Sequence, residues 1–192
     1  MAKNGRNYPS FVVPVRRVQD RVSPPSEENQ KENVAHEFYY LQWDFYLAPP
    51  IPSAVDDPFL KPTYTTSAGL SNPPISTILY APLQEYKLRQ AFATPYLVLT
   101  MYTDLAVSHG IVLLRGEISP STSSSSDSYM MSQEDAQLLT LALQRFYLWS
   151  EEGDTAEKEF GREGKNLLIA FHKKPQAFDW KDLLKFADPS TV

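Results

Sequence analysis

The chain has 192 residues, 18 basic and 23 acidic side chains, a net charge of -5 and no cysteine. This length predicts about one domain with a substantial core. The acidic balance disfavours a nucleic-acid partner, because phosphates call for a clustered basic surface. The lack of cysteine excludes disulfides, thiol catalysis and thiolate metal sites.

The N-terminal segment has a mixed character. Its first 22 residues carry five basic side chains and one acidic side chain, a balance typical of mitochondrial presequences. Pro9 and Pro14 interrupt any amphipathic helix there, so we expect no complete targeting segment in this chain. We predict a flexible tail over residues 1–10, a single domain over residues 11–188 and a short tail over residues 189–192.

The first half of the chain predicts three strands. "FVVPVRR" (residues 11–17) is a short strand that Pro14 confines to a sheet edge or a bulge. "HEFYYLQWDFYLA" (residues 36–48) alternates and predicts a strand with aromatic side chains on both faces. One face would carry Tyr39, Leu41, Trp43, Phe45 and Leu47, and the other Phe38, Tyr40, Gln42, Asp44 and Tyr46. "STILYAPLQEYKLRQ" (residues 76–90) predicts a second long strand, with Pro82 again at an edge or a bulge.

Two low-complexity segments predict surface loops. Residues 49–74 contain seven prolines and show no helical or strand periodicity. Residues 119–130 begin with a tract that has seven serines in ten positions, which is too polar to pack in a core. We expect both segments on the surface of the domain.

The most apolar stretch, "YLVLTMYTDLAVSHGIVLLRGEI" (residues 96–118), has too many polar interruptions for a membrane span, which needs about 20 consecutive apolar residues. It predicts a hairpin of strands 96–103 and 110–118 in the middle of the sheet, with Gly110 able to adopt a positive φ. The face under the following helix would carry Leu97, Leu99, Met101, Val112, Leu114 and Ile118. The other face, covered by a second helix or free for a partner, would carry Tyr96, Val98, Tyr102, Ile111 and Leu113.

The C-terminal part predicts two helices separated by a strand. Ser132 is placed to cap the first helix, whose apolar stripe is Ala136, Leu139, Ala142, Leu143 and Phe146. Residues 151–166 predict a charged loop and residues 167–174 a short strand. Asp179 is placed to cap the last helix, with Phe178 stapled to Leu183. The element order predicts an α+β domain, a mostly antiparallel sheet of about five to seven strands packed with helices.

No catalytic or metal-binding pattern stands out. His36, His109 and His172 lie far apart and form no H-x-x-x-H or H-E-x-x-H motif. Ser108 precedes His109 without a G-x-S-x-G elbow, and "GREGKN" (residues 161–166) lacks the spacing of a phosphate loop. We therefore expect no enzyme, no metal and no cofactor.

Several segments resemble one known family, in the same order along residues 11–187. They are the apolar-proline-apolar opening at Phe11 to Arg16, "FYYLQW" ending in Gln42 and Trp43, Gly110 to Leu113 with Glu117, the pair Phe146 and Tyr147, and an F-x-x-x-P-x-x-F corner at Phe171, Pro175 and Phe178. The family is that of the mitochondrial ATP synthase catalytic-head assembly factor 1, the chaperone of the β subunit. Residues 49–74 and 119–128 resemble insertions relative to the compact form of the family.

The resemblance implies a protein of the mitochondrial matrix, with its presequence absent or removed in this chain. It would bind the unassembled β subunit of the ATP synthase, prevent its aggregation and promote its assembly with the α subunit, without hydrolysing nucleotide. We expect a monomer that neither binds nucleic acid nor inserts into membranes.

Aromatic side chains are the candidates for client binding, since tyrosine and tryptophan are the usual hot-spot residues of interfaces. The candidates are Phe38, Tyr40, Tyr46, Tyr96, Tyr102, Tyr147 and Trp149. Each of them could instead pack in the core or under a loop. Two other classes of protein remain open: a carrier of a small apolar ligand or lipid, with a pocket between sheet and helix, and an enzyme with an unrecognised site.

Overall fold

The computed structural model describes residues 1–17, 35–47, 75–121, 128–149 and 155–187. The strands are β1 (Ser10–Arg17), β2 (Ala35–Phe45), β3 (Ser76–Pro82), β4 (Leu97–Tyr102) and β5 (Leu113–Ile118). The helices are α1 (Ala2–Asn7), α2 (Leu83–Arg89), α3 (Ala106–His109), α4 (Gln133–Tyr147) and α5 (Thr155–Lys173), with 3₁₀ helices at Gln90–Phe92, Pro175–Ala177 and Trp180–Phe186. The predicted loop 49–74 and tail 189–192 lie outside the described residues, as do residues 122–127 of the predicted loop 119–130.

The five strands form one antiparallel sheet in the order β1-β2-β3-β4-β5. This confirms the predicted α+β class. Each strand pairs with the next one along the chain, so β3 is central and the β4–β5 hairpin lies at one side. The prediction that this hairpin is the middle of the sheet was wrong, because β1 and β2 both lie on the other side of β3.

One face of the sheet, here called the inner face, packs under α4. Leu41, Ile78 and Tyr80 on the central strands are fully buried, and the Tyr80 hydroxyl donates to the Leu139 carbonyl oxygen at 3.1 Å. The predicted inner residues of β4 are buried there as well: Leu97, Leu99 and Met101. On the other hairpin arm Val112 is exposed, because it precedes β5.

Helix α4 begins where the sequence predicts. The Ser132 hydroxyl oxygen accepts a hydrogen bond from the Asp135 N–H at 3.1 Å, which pairs one of the free donors of the first turn. The buried residues of the helix include the whole predicted stripe: Ala136, Leu139, Ala142, Leu143 and Phe146. The helix therefore packs on the sheet through the face that the periodicity indicates.

Helix α5 takes the place of residues 155–166 of the predicted charged loop and of nearly all of the predicted short strand, while residues 151–154 lie outside the described residues. Phe160, Gly164, Leu168 and Phe171 recur at helical spacing, and Leu168 is fully buried. The sequence prediction was wrong here because "LLIAF" is a short apolar run, which fits a strand as well as a buried helix turn. The Phe171 ring packs edge-on against Phe11 of β1, with centroids 5.3 Å apart.

The predicted long strand over residues 76–90 is half strand and half helix. β3 ends at Pro82, and α2 follows with the strong helix formers Leu, Gln, Glu, Lys and Arg. β4 pairs with β3 only between Ser76 and Tyr80, so the missing N–H of Pro82 removes no bond of that ladder. Pro82 thus lies at a strand end of a central strand and not at a sheet edge or a bulge. Gly110 has the predicted positive φ, +67°.

Residues 2–7, which we predicted as part of a flexible tail, form α1. Gly5 lies directly on the Trp43 ring, and Tyr8 is buried. The Asn4 side-chain amide donates to the Tyr147 carbonyl oxygen at 2.9 Å. The first residues therefore belong to the packed domain.

The final described segment has the predicted Asp179 cap, but the helix that follows is a 3₁₀ helix instead of the expected α-helix. The Asp179 carboxylate accepts from the Lys181 N–H at 2.9 Å, and Trp180–Phe186 is a 3₁₀ helix with Leu183 and Phe186 buried. Phe178 contacts the rings of Phe11 and Phe171. This segment thus completes the packing around β1.

Gly5→Ala should destabilise the protein, because the new Cβ would lie 2.5 Å from a ring carbon of Trp43. We expect a loss of about 1 to 3 kcal/mol in the free energy of unfolding, the usual effect of overpacking. Gly161→Ala is the matched control in α5, where nothing lies within 4 Å of the added Cβ. The gain in helix propensity should stabilise that variant by up to about 1 kcal/mol. Urea denaturation measures both, and equal effects would contradict the packing of α1 on Trp43.

Candidate functional site

The sheet face opposite α4, here called the outer face, carries half-buried aromatic and aliphatic side chains. The alternation of each strand places them there, because their neighbours in sequence point to the inner face. They include Val12, Phe38, Tyr40, Leu79, Val98 and Tyr102, none of which is fully buried. Of the predicted client-binding residues, Phe38, Tyr40 and Tyr102 alternate onto this face, and Tyr96 directly precedes β4. Tyr102 ends β4, so it lies at the opposite end of that strand from Tyr96.

Helix α2 covers part of the outer face. The Tyr86 ring stacks on Tyr40, with centroids 3.8 Å apart and planes 19° from parallel. Burial raises the pKa of the Tyr40 phenol, and its hydrogen bond to Tyr86 adds to the rise. Burial also raises the pKa of Tyr96, and the nearby Glu85 charge raises it further. Tyr40 and Tyr96 thus both interact with residues of α2, which covers part of them.

Residues 83–92, here called the α2 corner, project two large apolar side chains into solvent. Leu88 is 85% exposed and Phe92 is 87% exposed. Glu85 holds the corner, because its carboxylate accepts from the Thr94 N–H at 3.1 Å and pairs with Arg89 at 3.6 Å. Large apolar side chains exposed close together in sequence are a candidate for an interaction surface.

Gln90, between these two side chains, has a φ of +54°. This left-handed region is uncommon for residues other than glycine, and such strain is concentrated at functional positions. We did not select Leu88 or Phe92 from the sequence, because the alternation of residues 76–90 favoured a strand. The signal that could have found them is the run of helix formers that follows Pro82.

Phe38 and Tyr46 extend the outer face toward two borders. Phe38 packs edge-on against Trp180, with centroids 5.9 Å apart and planes 81° from parallel, and Trp180 is itself 52% exposed. Tyr46 follows the end of β2 and is 53% exposed. Both residues are accessible to a partner at least in part.

Tyr147 and Trp149 lie on the inner side of the sheet. Tyr147 is fully buried, and its hydroxyl donates to the Tyr8 carbonyl oxygen at 2.9 Å. It is four residues from Leu143 on the buried stripe of α4, which makes it a core residue and not a surface contact. Trp149 is half buried, its indole N–H donates to the Phe146 carbonyl oxygen at 2.7 Å, and the Lys165 ammonium lies 4.7 Å from its ring.

The histidines occupy separate places. Ser108 and His109 are hydrogen-bonded at 2.8 Å on the exposed hairpin turn, and His172 contacts the Ser10 carbonyl oxygen at 2.6 Å. Within the described ranges, no three histidine or acidic side chains cluster so as to hold a metal ion. In that same part of the chain, no helix is both long and apolar enough to cross a membrane.

These features define a small α+β domain whose sheet carries partly exposed aromatic and aliphatic side chains on the side away from α4. A family model described as "ATP11 protein" matches residues 1–184, and the chain belongs to that family. Protein atp11, mitochondrial, of Schizosaccharomyces pombe is 28% identical over 173 residues, which is 90% of this chain and 42% of that protein. The chain thus spans less than half the length of this relative. The family resemblance of the sequence is confirmed.

The buried tyrosines make the folding stability of the protein fall as the pH rises into the alkaline range. Burial raises the pKa of Tyr147, and raises that of the fully buried Tyr80 well above its usual value. The unfolded phenols ionise near pH 10, so their contribution to stability is complete below about pH 10 and is lost as the pH rises further.

Tyr147→Phe should therefore show a smaller loss of stability than the wild type between about pH 9 and 11, measured by urea denaturation. Tyr46→Phe, at an exposed side chain, is the matched control, and a Tyr147→Phe slope equal to that of the control would contradict the prediction.

Proposed function

We propose that this chain is an assembly factor of the mitochondrial ATP synthase, located in the matrix, that binds the unassembled β subunit of the catalytic head. In this role it prevents aggregation of the free subunit and promotes its pairing with the α subunit. The observation that carries the proposal is the family match over residues 1–184, supported by a mitochondrial relative that aligns with most of the chain.

The outer face and the α2 corner are suited to such a client. A subunit that awaits assembly exposes apolar surface, which aggregates unless it is covered. Leu88 and Phe92 are free to enter apolar depressions of the client, while the half-buried Tyr40 and Phe38 offer a flat aromatic surface beside them. Aromatic side chains are enriched in interfaces, where a few residues supply most of the binding energy.

The polar neighbours of the corner suit a reversible complex. Lys87, Arg89 and Gln84 are exposed on the same short helix, so the two apolar side chains are surrounded by groups that stay hydrated. A small patch of this kind limits affinity, and the α subunit has to displace the assembly factor at the end. The proposed surface therefore favours transient binding over a permanent complex.

A carrier of a small apolar ligand is a second candidate, favoured by a groove between α4 and the β4–β5 hairpin. The groove has a volume of about 480 Å³ and is lined mainly by Leu97, Leu99, Leu114, Ile118, Ala136 and Leu141. This volume lies within the range of small-molecule sites. Native mass spectrometry of the purified protein separates the two functions, since a carrier would retain a bound ligand.

The α2 corner can be tested with the double variant Leu88→Ser and Phe92→Ser. We expect wild-type protein at an equimolar ratio to suppress the light scattering of isolated β subunit, and the double variant to lose most of this protection. Its melting temperature should stay near the wild-type value, because both side chains are more than four-fifths exposed, at 85% and 87%. Leu148→Ser, 55% exposed at the end of α4, is the matched control.

The possible failures have different meanings. Full protection by the double variant would show that the client binds elsewhere on the chain. No protection by the wild-type protein would contradict the proposed function itself.

A further inference from the structure

The two edges of the sheet differ in how much of the rest of the fold packs against them. At the β1 edge, Pro14 has no N–H to offer, His172 engages the Ser10 carbonyl oxygen, and the Trp180–Phe186 3₁₀ helix packs against the strand. At the β5 edge, β4 is the sole sheet neighbour of β5 within the described residues. An open edge of this kind can pair with another strand.

The hydrogen bonding of the hairpin identifies which groups of β5 face outward. The Ser119 N–H donates to the Tyr96 carbonyl oxygen of the preceding arm at 3.0 Å. Because the backbone groups of successive residues in a strand point to opposite sides, those of Ile118, Gly116 and Leu114 point away from β4. Their side-chain positions lie on the inner face, opposite Leu97, Leu99 and Met101 of β4.

The sequence of this edge is complementary to itself. "LRGEI" (residues 114–118) has an apolar residue at each end, glycine at the centre, and opposite charges on either side of the glycine. Arg115 and Glu117 are 63% and 53% exposed and form an ion pair at 2.5 Å along the strand. A single sign of charge would repel a second copy of the same strand, whereas this arrangement attracts it.

We infer that β5 is a self-pairing interface, in which two copies of this chain join their β5 strands antiparallel about Gly116 to form one continuous sheet. In this register Arg115 of each copy lies opposite Glu117 of the other, which makes two cross-strand ion pairs on the outer face. Leu114 of each copy lies opposite Ile118 of the other on the inner face. The outward backbone groups of Leu114, Gly116 and Ile118 are the ones that this register uses.

Glycine at the centre fits this geometry. A Cβ at position 116 would lie 3.3 Å from a methyl carbon of Leu99, so a larger residue there would fit tightly against β4. At the symmetry axis the two glycines face each other and leave room for the apolar pairs on both sides. The apolar groove beside α4, which includes Leu114, Gly116 and Ile118, would continue across the interface into the second copy.

The pairing should be weak and dependent on concentration. Five residues per copy bury much less area than the roughly 1,600 Å² of a standard stable complex. The protein would be a monomer when dilute and a dimer when concentrated, which revises the plain monomer that we expected from the sequence. The inference does not depend on the identity of the client, because it concerns the free protein.

Charge reversal at the two exposed positions tests the pairing. Arg115→Glu places Glu opposite Glu twice in the dimer, and Glu117→Arg places Arg opposite Arg twice. Sedimentation velocity from low micromolar to near millimolar protein should show a concentration-dependent dimer for the wild type. Each single variant should associate at least about tenfold more weakly.

Two further samples, a mixture of the two single variants and a double variant, then show whether a loss of dimer comes from the charge pairing or from damage to the fold. An equal mixture of Arg115→Glu and Glu117→Arg proteins should form a dimer of one copy each, because every cross-strand pair is again opposite in charge. The double variant Arg115→Glu with Glu117→Arg should regain the wild-type dimer. Lys185→Glu, which makes the same charge change at an exposed ion pair with Glu163 far along the chain, should behave as the wild type.

A wild-type protein that stays monomeric at all concentrations overturns the inference, as do single variants that dimerise like the wild type. Capture of β subunit that depends on these charges, by a protein that is itself monomeric, would also overturn it and would assign the edge to a client strand. Far-ultraviolet circular dichroism and melting temperature verify that each variant is folded.

Discussion

The packing of α4 on the inner face of the sheet is the interaction on which the rest of the structure depends. Leu139, Leu143 and Phe146 of the helix are fully buried, with Leu139 bonded to Tyr80 of β3 and Phe146 packed against Phe11 of β1. At the periphery Arg17 joins three elements, because it pairs with Glu37 of β2, lies 2.6 Å from the Asp135 carboxylate of α4, and donates to the Tyr39 hydroxyl at 3.1 Å. These contacts determine which sheet face is core.

Because α4 occupies one face, the outer face and the β5 edge are the sheet surfaces that we propose for partners, judged from the described residues. Within the described part of the chain, α2 covers part of the outer face, and its corner places Leu88 and Phe92 in solvent. The β1 edge is closed by α5 and the final 3₁₀ helix, while β5 at the opposite edge has one sheet neighbour in the described part of the chain. The proposed client surface and the proposed self-pairing surface thus follow from the same asymmetry.

The sequence predictions that the structure confirmed depend on a few residues close together in the chain. The alternation of β2, the stripe and cap of α4, and the Asp179 cap were all readable, since each depends on the spacing of a few residues in one element. Two of the errors concerned the choice between strand and helix, in residues 76–90 and 155–174, where short apolar runs fit both. There the choice between them depends on what the segment packs against.

The sequence by itself determined the α+β class, the antiparallel sheet, the family and the residues that alternate between two faces, because periodicity and motif order are properties of the chain alone. Only the tertiary structure decided that Tyr147 is core while Phe92 is exposed, since both are aromatic side chains within helical segments. It also decided that β5, the second arm of the hairpin in the most apolar stretch of the sequence, is an edge strand and that this hairpin is not the centre of the sheet. Strand order arises from pairing between distant segments, and no local pattern contains that information.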